Sequence, residues 1–561
     1  MSKRIVIVGG VAGGATAAAR LRRLDEFAEI IMLERGPHVS FSNCGLPYYI
    51  GRVIKEKEKL VLVNPEIFLK RYNIEVRIYN EVKSIDRENK KIKVEDIRKD
   101  IEYDLEYDKL ILSPGAEPIK PPFSGIDEVP VFTLRNIPDT FEIDEFITKN
   151  NPKHAVVVGG GFIGLEMAEN LRERGLEVTI VELINQVMIP LDFEIAQYVH
   201  HELYKNGVDL ILGDGVNSFF KKDNGKAVVK TQSGKEVETD LVILSIGVKP
   251  ESKLAKEAGL DIGERGHIIV NDKMETSDPN IYAVGDAVQV TDPESGISIA
   301  VPLAGPANKQ GRIAADNICG YTSEYEGGFG AAVVKVFNLT VAQVGINEKK
   351  LKEFDSFYEK IYLHPSNHAA YYPGFEKLAI KLIFKVPNGK ILGAQIVGGA
   401  GAEKRVDVIS TVMSFNGTVF DLEKLELTYA PPYGSAKDPV NMAGFIAANY
   451  LRGDNPLWHW YELDTIRSKD GFLVDVRRTN EYEQGAIEGA LHLHEQELRE
   501  NMELLPKDKP IYLYCSEGYR AYIVSRNLVQ RGYEVYNLAG GYKIYEKATS
   551  TQEELKKKAI D

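Results

Sequence analysis

Residues 40–51, Ser-Phe-Ser-Asn-Cys-Gly-Leu-Pro-Tyr-Tyr-Ile-Gly, hold one of only three cysteines in a chain of 561 residues. A cysteine acts on sulfur as a thiolate, so its surroundings decide whether it reacts. Pro47 suits the first turn of a helix, where its missing N–H costs nothing. Cys44 is therefore expected at or just before a helix N-terminus, where free N–H groups and the helix dipole favour a thiolate. Cys515 follows the apolar run Ile511–Tyr514 and opens Ser516-Glu517-Gly518-Tyr519-Arg520-Ala521. Successive N–H groups in such a loop can surround sulfur and stabilise a thiolate or persulfide, and Arg520 adds positive charge. Cys319, at an expected helix end in Asn317-Ile318-Cys319-Gly320, reads as structural. An isolated cysteine is more often buried and inert. The chain around Cys44 reverses that expectation.

The elements that must position Cys44 begin at the N-terminus. Ile5-Val6-Ile7-Val8 has the unbroken apolar character of a buried parallel strand. Gly9-Gly10-Val11-Ala12-Gly13-Gly14 follows, then a helical pattern over 15–24 and a second strand over 29–33 that ends at Glu34. This is a dinucleotide-binding unit, with Glu34 placed to accept ribose hydroxyls. Val11 interrupts the usual G-x-G-x-x-G, so Gly10 and Gly13 are expected to supply the backbone freedom. The unit recurs: residues 155–158 lead into Gly159-Gly160-Gly161-Phe162-Ile163-Gly164, a complete match, then a helix over 165–175 and a strand over 178–181 ending at Glu182. A carboxylate there repels a 2′-phosphate and favours NADH over NADPH. Arg172 and Arg174 leave tolerance of NADPH open. Helix N-termini at both turns suit pyrophosphates. The cofactor-binding residues so assigned are Gly9, Gly10, Ala12, Gly13, Gly14, Glu34 and Arg35 in the first unit. Those of the second are Gly159, Gly161, Phe162, Ile163, Gly164 and Glu182.

The length suggests three to four domains, and a hydrophobic fraction of 44% is ordinary for globular cores. A net charge of −13 argues against a nucleic-acid binder, and an anionic substrate would need a local basic pocket. Three scattered cysteines make no disulfide scaffold, and without a CxxC pair no metal centre is expected. A reducing, cytoplasmic setting fits. The first residues enter a strand without a secretory apolar region, and no apolar run reaches the ~18–20 residues that span a bilayer.

Residues 276–286, Thr-Ser-Asp-Pro-Asn-Ile-Tyr-Ala-Val-Gly-Asp, resemble the third flavin motif of two-dinucleotide flavoproteins, which implies that Gly285 and Asp286 meet the FAD ribitol. Leu112-Ser113-Pro114-Gly115-Ala116 and Leu244-Ser245-Ile246-Gly247 look like the two crossover turns between flavin and nicotinamide domains, adding Ser113, Gly115 and Gly247. With these motifs in order, the chain resembles the pyridine nucleotide–disulfide oxidoreductases over about residues 1–450. The resemblance implies FAD with NADH or NADPH. The stretch around Cys44 is similar to the single-cysteine branch: coenzyme A disulfide reductases, persulfide reductases and NADH oxidases or peroxidases. Glutathione-reductase-like members carry a second cysteine five residues on; Tyr49 stands there, so Cys44 must cycle between thiolate and a mixed disulfide, persulfide or sulfenic acid.

Likeness to the coenzyme A disulfide reductases implies a coenzyme A site at Thr16, Arg20, Arg23, Ser40, Asn43, Arg71, Asn308 and Lys437. Arg20 and Arg23 share a helical face, which suits a phosphorylated ligand. Asn308 is a departure, since this branch can carry a histidine there. Leu427-Thr-Tyr-Ala-Pro-Pro-Tyr433 resembles the signature in which two tyrosines, here Tyr371 and Tyr429, reach the flavin site from the partner subunit; a Tyr hydroxyl could protonate a leaving thiolate. Strand-like stretches at 331–337, 378–384 and 391–397 belong to what resembles a dimerisation domain, so a homodimer is expected. The C-terminal 95 or so residues resemble a rhodanese domain.

The expected fold is α/β throughout. Two Rossmann-like domains cover 1–115 with 245–323 (FAD) and 116–244 (NAD(P)H), followed by an α+β dimerisation domain at 324–450, a linker at 451–461 and an α/β rhodanese domain at 462–561. The expected activity is NAD(P)H-driven reduction of coenzyme A persulfide or polysulfide through FAD and Cys44, with sulfur supplied by Cys515. Coenzyme A disulfide reduction and a sulfenate-based NADH oxidase or peroxidase are the alternatives. A pure sulfur-trafficking protein ranks last, because both redox units are intact.

Overall fold

The computed structural model describes residues 3–223, 225–293, 296–353 and 357–560. The chain divides into two compact units, one of residues 1–185 with 208–330 and one of 186–207 with 331–561.

In the first unit, Arg4–Val8 lies inside a parallel sheet, between Glu29–Glu34 and Lys109–Leu112, with Ile281–Ala283 and Glu75–Ile78 at its edges. Ile5, Val6 and Ile7 are fully buried, each contributing about 1.5–3 kcal/mol of transfer free energy. A strand covered on both faces needs no alternation, which explains the continuous apolar run. The second parallel sheet repeats the plan: His154–Val158 lies between Glu177–Glu182 and Leu241–Leu244, with Val208–Leu212 and Val131–Phe132 outside. The crossover turns feed Ala116–Pro118 and Val248–Pro250, which pair antiparallel. Gly115 and Gly247 take φ of +76° and +114° at these turns, open to glycine at little cost.

In the second unit, five antiparallel strands run in the order Ala332–Val336, Leu339–Gly345, Ile391–Gly398, Leu378–Lys385, Tyr358–Leu363. Lys381 is wholly buried in this sheet. Its ammonium bonds to Asp192 at 2.8 Å, Glu194 at 2.5 Å and Glu348. These carboxylates raise the Lys381 pKa well above its usual value against the opposing effect of burial, so the three acids already enclose a cation. The C-terminal module is a parallel sheet in the order Leu457–Trp458, Val535–Leu538, Ile511–Tyr514, Phe472–Asp475, Leu491–His492. Leu457–Trp458 lies within the stretch expected to be linker. Trp458 is 1% exposed and its Nε1 donates to Leu513 O at 3.1 Å, so burial of one aromatic ring ties that stretch to the module.

Candidate active site

The two glycine turns do the same work although one of the three motif glycines is replaced by Val11 in the first. Gly9 has φ +95° and Gly159 φ +104°. A Cβ on Gly9 would stand 2.1 Å from Ser113 O, and one on Gly159 2.4 Å from Ser245 O. At the close helix–strand contact, a Cβ on Gly14 would meet Gly9 O at 1.9 Å, and one on Gly164 would meet Gly159 O at 2.0 Å. Gly9 and Gly14, rather than Gly10 and Gly13, are thus the counterparts of the complete motif. Gly10 packs on Val39, and Gly13 on the Ser113 hydroxyl and Val284. Val11 and Gly161 each precede their helix; nothing lies within 4 Å of a Cβ on Gly161, so the first turn tolerates a side chain there. The helices span Ala12–Leu24 and Phe162–Glu173, starting three residues earlier than expected, and Ile163 is exposed beside the second turn.

Each unit ends in the expected acid. Glu34 accepts from Gly10 N at 3.0 Å and Gly36 N at 2.8 Å; Glu182, buried, accepts from Gly160 N at 2.6 Å and Ile184 N at 3.2 Å. Both are pinned facing their glycine turn. Arg172 donates to Leu176 O, and Arg174 to Asp144 and Ile50 O, so both guanidinium groups have partners. A cleft of about 740 Å³ runs along the first turn, lined by Gly9, Ala12, Gly13, Glu34, Arg35, Asn43, Ser113, Gly115, Gly285 and Asp286. Arg35 is held by Glu251 at 2.5 Å, and Arg135 bonds to the same carboxylate. Burial raises the Asp286 pKa while Arg135 opposes it. A glycine cradle that a Cβ would fill, a carboxylate pinned at the turn and a half-buried acid fit a flavin dinucleotide, and the second turn fits a nicotinamide dinucleotide.

Cys44 lies in a single 3-10 turn, Asn43–Gly45, directly before the helix Leu46–Ile50, and Pro47 occupies that helix's first turn. The thiol is exposed. The expected thiolate preference is not intrinsic to the chain. Partial desolvation by the surrounding walls raises the Cys44 pKa, as do Glu166 and Asp286, and only a backbone N–H opposes them. Desolvation, helped by two nearby carboxylates, outweighs the backbone N–H that favours the thiolate. Glu166, on the helix Phe162–Glu173, accepts from the Tyr48 hydroxyl at 3.3 Å, and burial lifts its pKa to about 7. Sequence reading missed Glu166 and Tyr48, whose meeting across 118 positions leaves no mark in local spacing.

The residues expected at coenzyme A divide into groups. Thr16 Oγ1 donates to Asn308 Oδ1 at 2.6 Å. Ser40 sits at φ +47°, bonded through its N–H to Gly10 O, and so follows the flavin turn. Arg23 and Arg71 line one surface groove of about 570 Å³ together with Phe27, which is 86% exposed. Arg20, expected to join Arg23 on a phosphate, instead pairs with Asp316 at 2.6 Å. The acid lies on the helix Ala304–Ile318 and the pairing arises only in tertiary structure. Cys319 caps the C-terminal end of that helix, as its structural reading requires.

In the second unit, the Tyr371 and Tyr429 hydroxyls bond to each other at 2.6 Å, and both rings are exposed, 75% and 45%. That bond raises the Tyr429 pKa. Lys437 is exposed. Cys515 is 1% exposed, at the end of Ile511–Tyr514. Gly518 N donates to its Sγ at 3.1 Å; Gly518 has φ +95° and caps the helix Tyr519–Val529. Arg520 does not leave an unpaired positive charge beside the sulfur, because both its Nη atoms bond to Glu481, at 2.6 and 2.7 Å.

Residues 3–311 match the family described as pyridine nucleotide-disulphide oxidoreductase, 331–438 match its dimerisation domain, and 459–548 match the rhodanese-like domain. The chain belongs to the pyridine nucleotide–disulphide oxidoreductases. It is a flavoprotein oxidoreductase of the family that works with FAD and NAD(P)H, and it carries a C-terminal rhodanese domain. Its dimerisation domain points to a homodimer. The coenzyme A disulfide reductase of Staphylococcus haemolyticus is 37% identical over 446 residues, 79% of this chain and 99% of the relative. The crystal structure of reduced Bacillus anthracis CoADR-RHD is 51% identical, covers 98% of both chains and has a TM-score of 0.96. The NAD-dependent persulfide reductase from A. fulgidus is 37% identical, covers 96% of this chain and 99% of its own, with a TM-score of 0.90. Among the described residues, no helix is long and apolar enough to cross a membrane.

Proposed function

We propose that this protein reduces the sulfur–sulfur bond of coenzyme A persulfide or related sulfane-sulfur carriers, using NADH or NADPH through FAD and Cys44, with Cys515 loading or relaying sulfur. The balanced reaction is RS–SH + NADH + H⁺ → RSH + H₂S + NAD⁺, in which two electrons cleave one S–S bond. The observation that carries this reading is the pairing of a solitary exposed thiol beside the flavin-type cleft with a second sulfur-holding loop in the same chain. Bound FAD supplies a two-electron store between nicotinamide and sulfur. The chain's own residues do the rest.

Cys44 Sγ takes the outer sulfur and releases the carrier thiolate. Arg23 and Arg71 hold carrier phosphates beside Phe27, with Thr16, Ser40, Asn43 and Asn308 completing the carrier site and Arg20 kept on Asp316. Glu182 makes NADH the preferred donor. Tyr429 and Tyr371, contributed by the partner subunit, hold the proton for the leaving thiolate. We assign residues 1–115 with 245–323 to FAD, 116–244 to NAD(P)H, 324–450 to dimerisation and the C-terminal module to sulfur delivery, and place the enzyme in the reducing cytoplasm.

Coenzyme A disulfide reduction is the second reading, favoured by the Staphylococcus relative, 99% of whose length is matched by this chain. The test compares products. Sulfide released from coenzyme A persulfide faster than coenzyme A from its disulfide supports the first reading, and the reverse order supports the second. Peroxide-dependent NADH consumption without any sulfur substrate would contradict both.

A further inference from the structure

The loop that holds Cys515 is ringed by charges whose pairing its sequence does not announce. Arg520 follows the loop, Lys543 stands on the helix Gly541–Thr549, and Lys377 precedes the strand Leu378–Lys385. Each has a carboxylate. Arg520 is tied by both Nη atoms to Glu481, and Ser516 Oγ donates to the same carboxylate. Lys543 and Lys377 both bond to Glu517, inside the loop itself, Lys377 at 3.4 Å. Glu495 adds a further negative field at Arg520, and the remaining guanidinium of the module's core, Arg477, is buried on Asp475 at 2.7 Å. Arg520, Lys543 and Lys377 are thus each paired with an acid.

We propose that Glu481 is the specificity-determining residue of the Cys515 site, turning it away from small dianions such as thiosulfate and toward organic persulfides. The proposal rests on the reading of Cys515 as a sulfane-sulfur acceptor. The step is Cys515–S⁻ + RS–SH → Cys515–S–SH + RS⁻: one S–S bond forms, one breaks, the thiolate leaves with the electron pair, and no net oxidation occurs. Thiosulfate would undergo the same exchange with sulfite leaving, but it must bring two negative charges against the loop. A dianion gains most from an unpaired, forked guanidinium, and here the fork is already filled by a carboxylate. With its attraction to Arg520 cancelled by Glu481, a dianion loses twice the electrostatic gain that a monoanion loses. A persulfide presents at most one charge at its transferable end, and the Gly518 N–H already steadies the Cys515 sulfur that accepts the transferred atom.

The test uses the full-length protein, mixed separately with thiosulfate and with glutathione persulfide, and follows by mass spectrometry the gain of one sulfur on the Cys515 peptide. Glu481→Gln is expected to raise the thiosulfate-to-persulfide loading-rate ratio about 5- to 10-fold. Glu517→Gln, which leaves the Arg520 cradle intact, is expected to raise it less. Added salt should raise the ratio of the unaltered protein by screening the carboxylates. If Glu481→Gln fails to fold because it loses its hydrogen bond from Arg478 N, Glu517→Gln and the salt series decide. A ratio unmoved by either variant and by salt, with persulfide loading intact, overturns the proposal. Failure of the unaltered protein to load Cys515 from either donor overturns the underlying reading instead.

Discussion

Cys44 and Cys515 both stand before a helix, yet their surroundings are opposite. Cys44 is exposed, in a turn directly before a five-residue helix, and partial desolvation together with two nearby carboxylates raises its pKa. Cys515 is buried and receives an N–H from its own loop at 3.1 Å. The first thiol depends on what binds beside it, as befits a group that must change partners with each turnover. The second is organised by the chain itself, as befits a sulfur carrier.

The largest effects should come from removing either sulfur. Cys44→Ser is expected to lower NADH-driven S–S reduction at least ~10³-fold, the scale seen when a nucleophile is deleted, while sulfur loading of Cys515 persists. Cys515→Ser should do the converse, leaving reduction of small persulfides within a few-fold. Equal losses in both variants would erase the distinction. Next, Gly518→Ala forces a Cβ into φ +95°, costing about 1–2 kcal/mol and tilting the N–H away from Sγ. Sulfur loading should fall about 10-fold, and thermal melting reports the cost.

Glu166 sharpens the contrast through pH. Its folded pKa of about 7 lies above the ordinary 4.5, so the folded state binds the extra proton between those values. The contribution of Glu166 to stability is therefore fullest below about pH 4.5 and lost as pH rises through about 7. Glu166→Gln should melt close to the parent at pH 5 and higher at pH 8, by about 1–3 kcal/mol. The same variant should lower the pKa of Cys44 read from alkylation rates. His200 and His364 have the opposite sense: burial holds both at about 3, below the ordinary 6.5, so their contribution is full above 6.5 and lost as pH falls toward 3. Replacing either with Gln should flatten acid unfolding over that window. The smallest effect is expected at the exposed tyrosines, where Tyr429→Phe should lower turnover about 10-fold at most without changing the melting temperature.

What could be read from the sequence was what local geometry imposes. Gly9, Gly14, Gly159 and Gly164 must be glycine because strand, turn and helix meet there at distances that admit no side chain. The complete motif marked Gly159 and Gly164; where Val11 breaks it, Gly10 and Gly13 were expected in the role that Gly9 and Gly14 hold. The strands at 5–8, 29–33, 155–158 and 178–181 were visible as apolar runs because both faces of their sheets are covered. Charge pairing was not visible. Arg20 with Asp316, Tyr48 with Glu166 and Arg520 with Glu481 join residues 296, 118 and 39 positions apart, and each changes what its site can do. Arg20 loses a free charge for phosphate, Cys44 gains a neighbour that disfavours its thiolate, and the Cys515 loop loses its unpaired cation. Residue type announces a charge; only the fold shows what neutralises it.

The most direct test of the account follows flavin and sulfur together in Cys44→Ser. Rapid mixing of that variant with NADH should bleach the flavin absorbance at the parent rate. Subsequent addition of coenzyme A persulfide should neither restore the absorbance nor release sulfide. Return of the oxidised flavin spectrum with sulfide release would show that electrons reach sulfur without Cys44, and would contradict the mechanism.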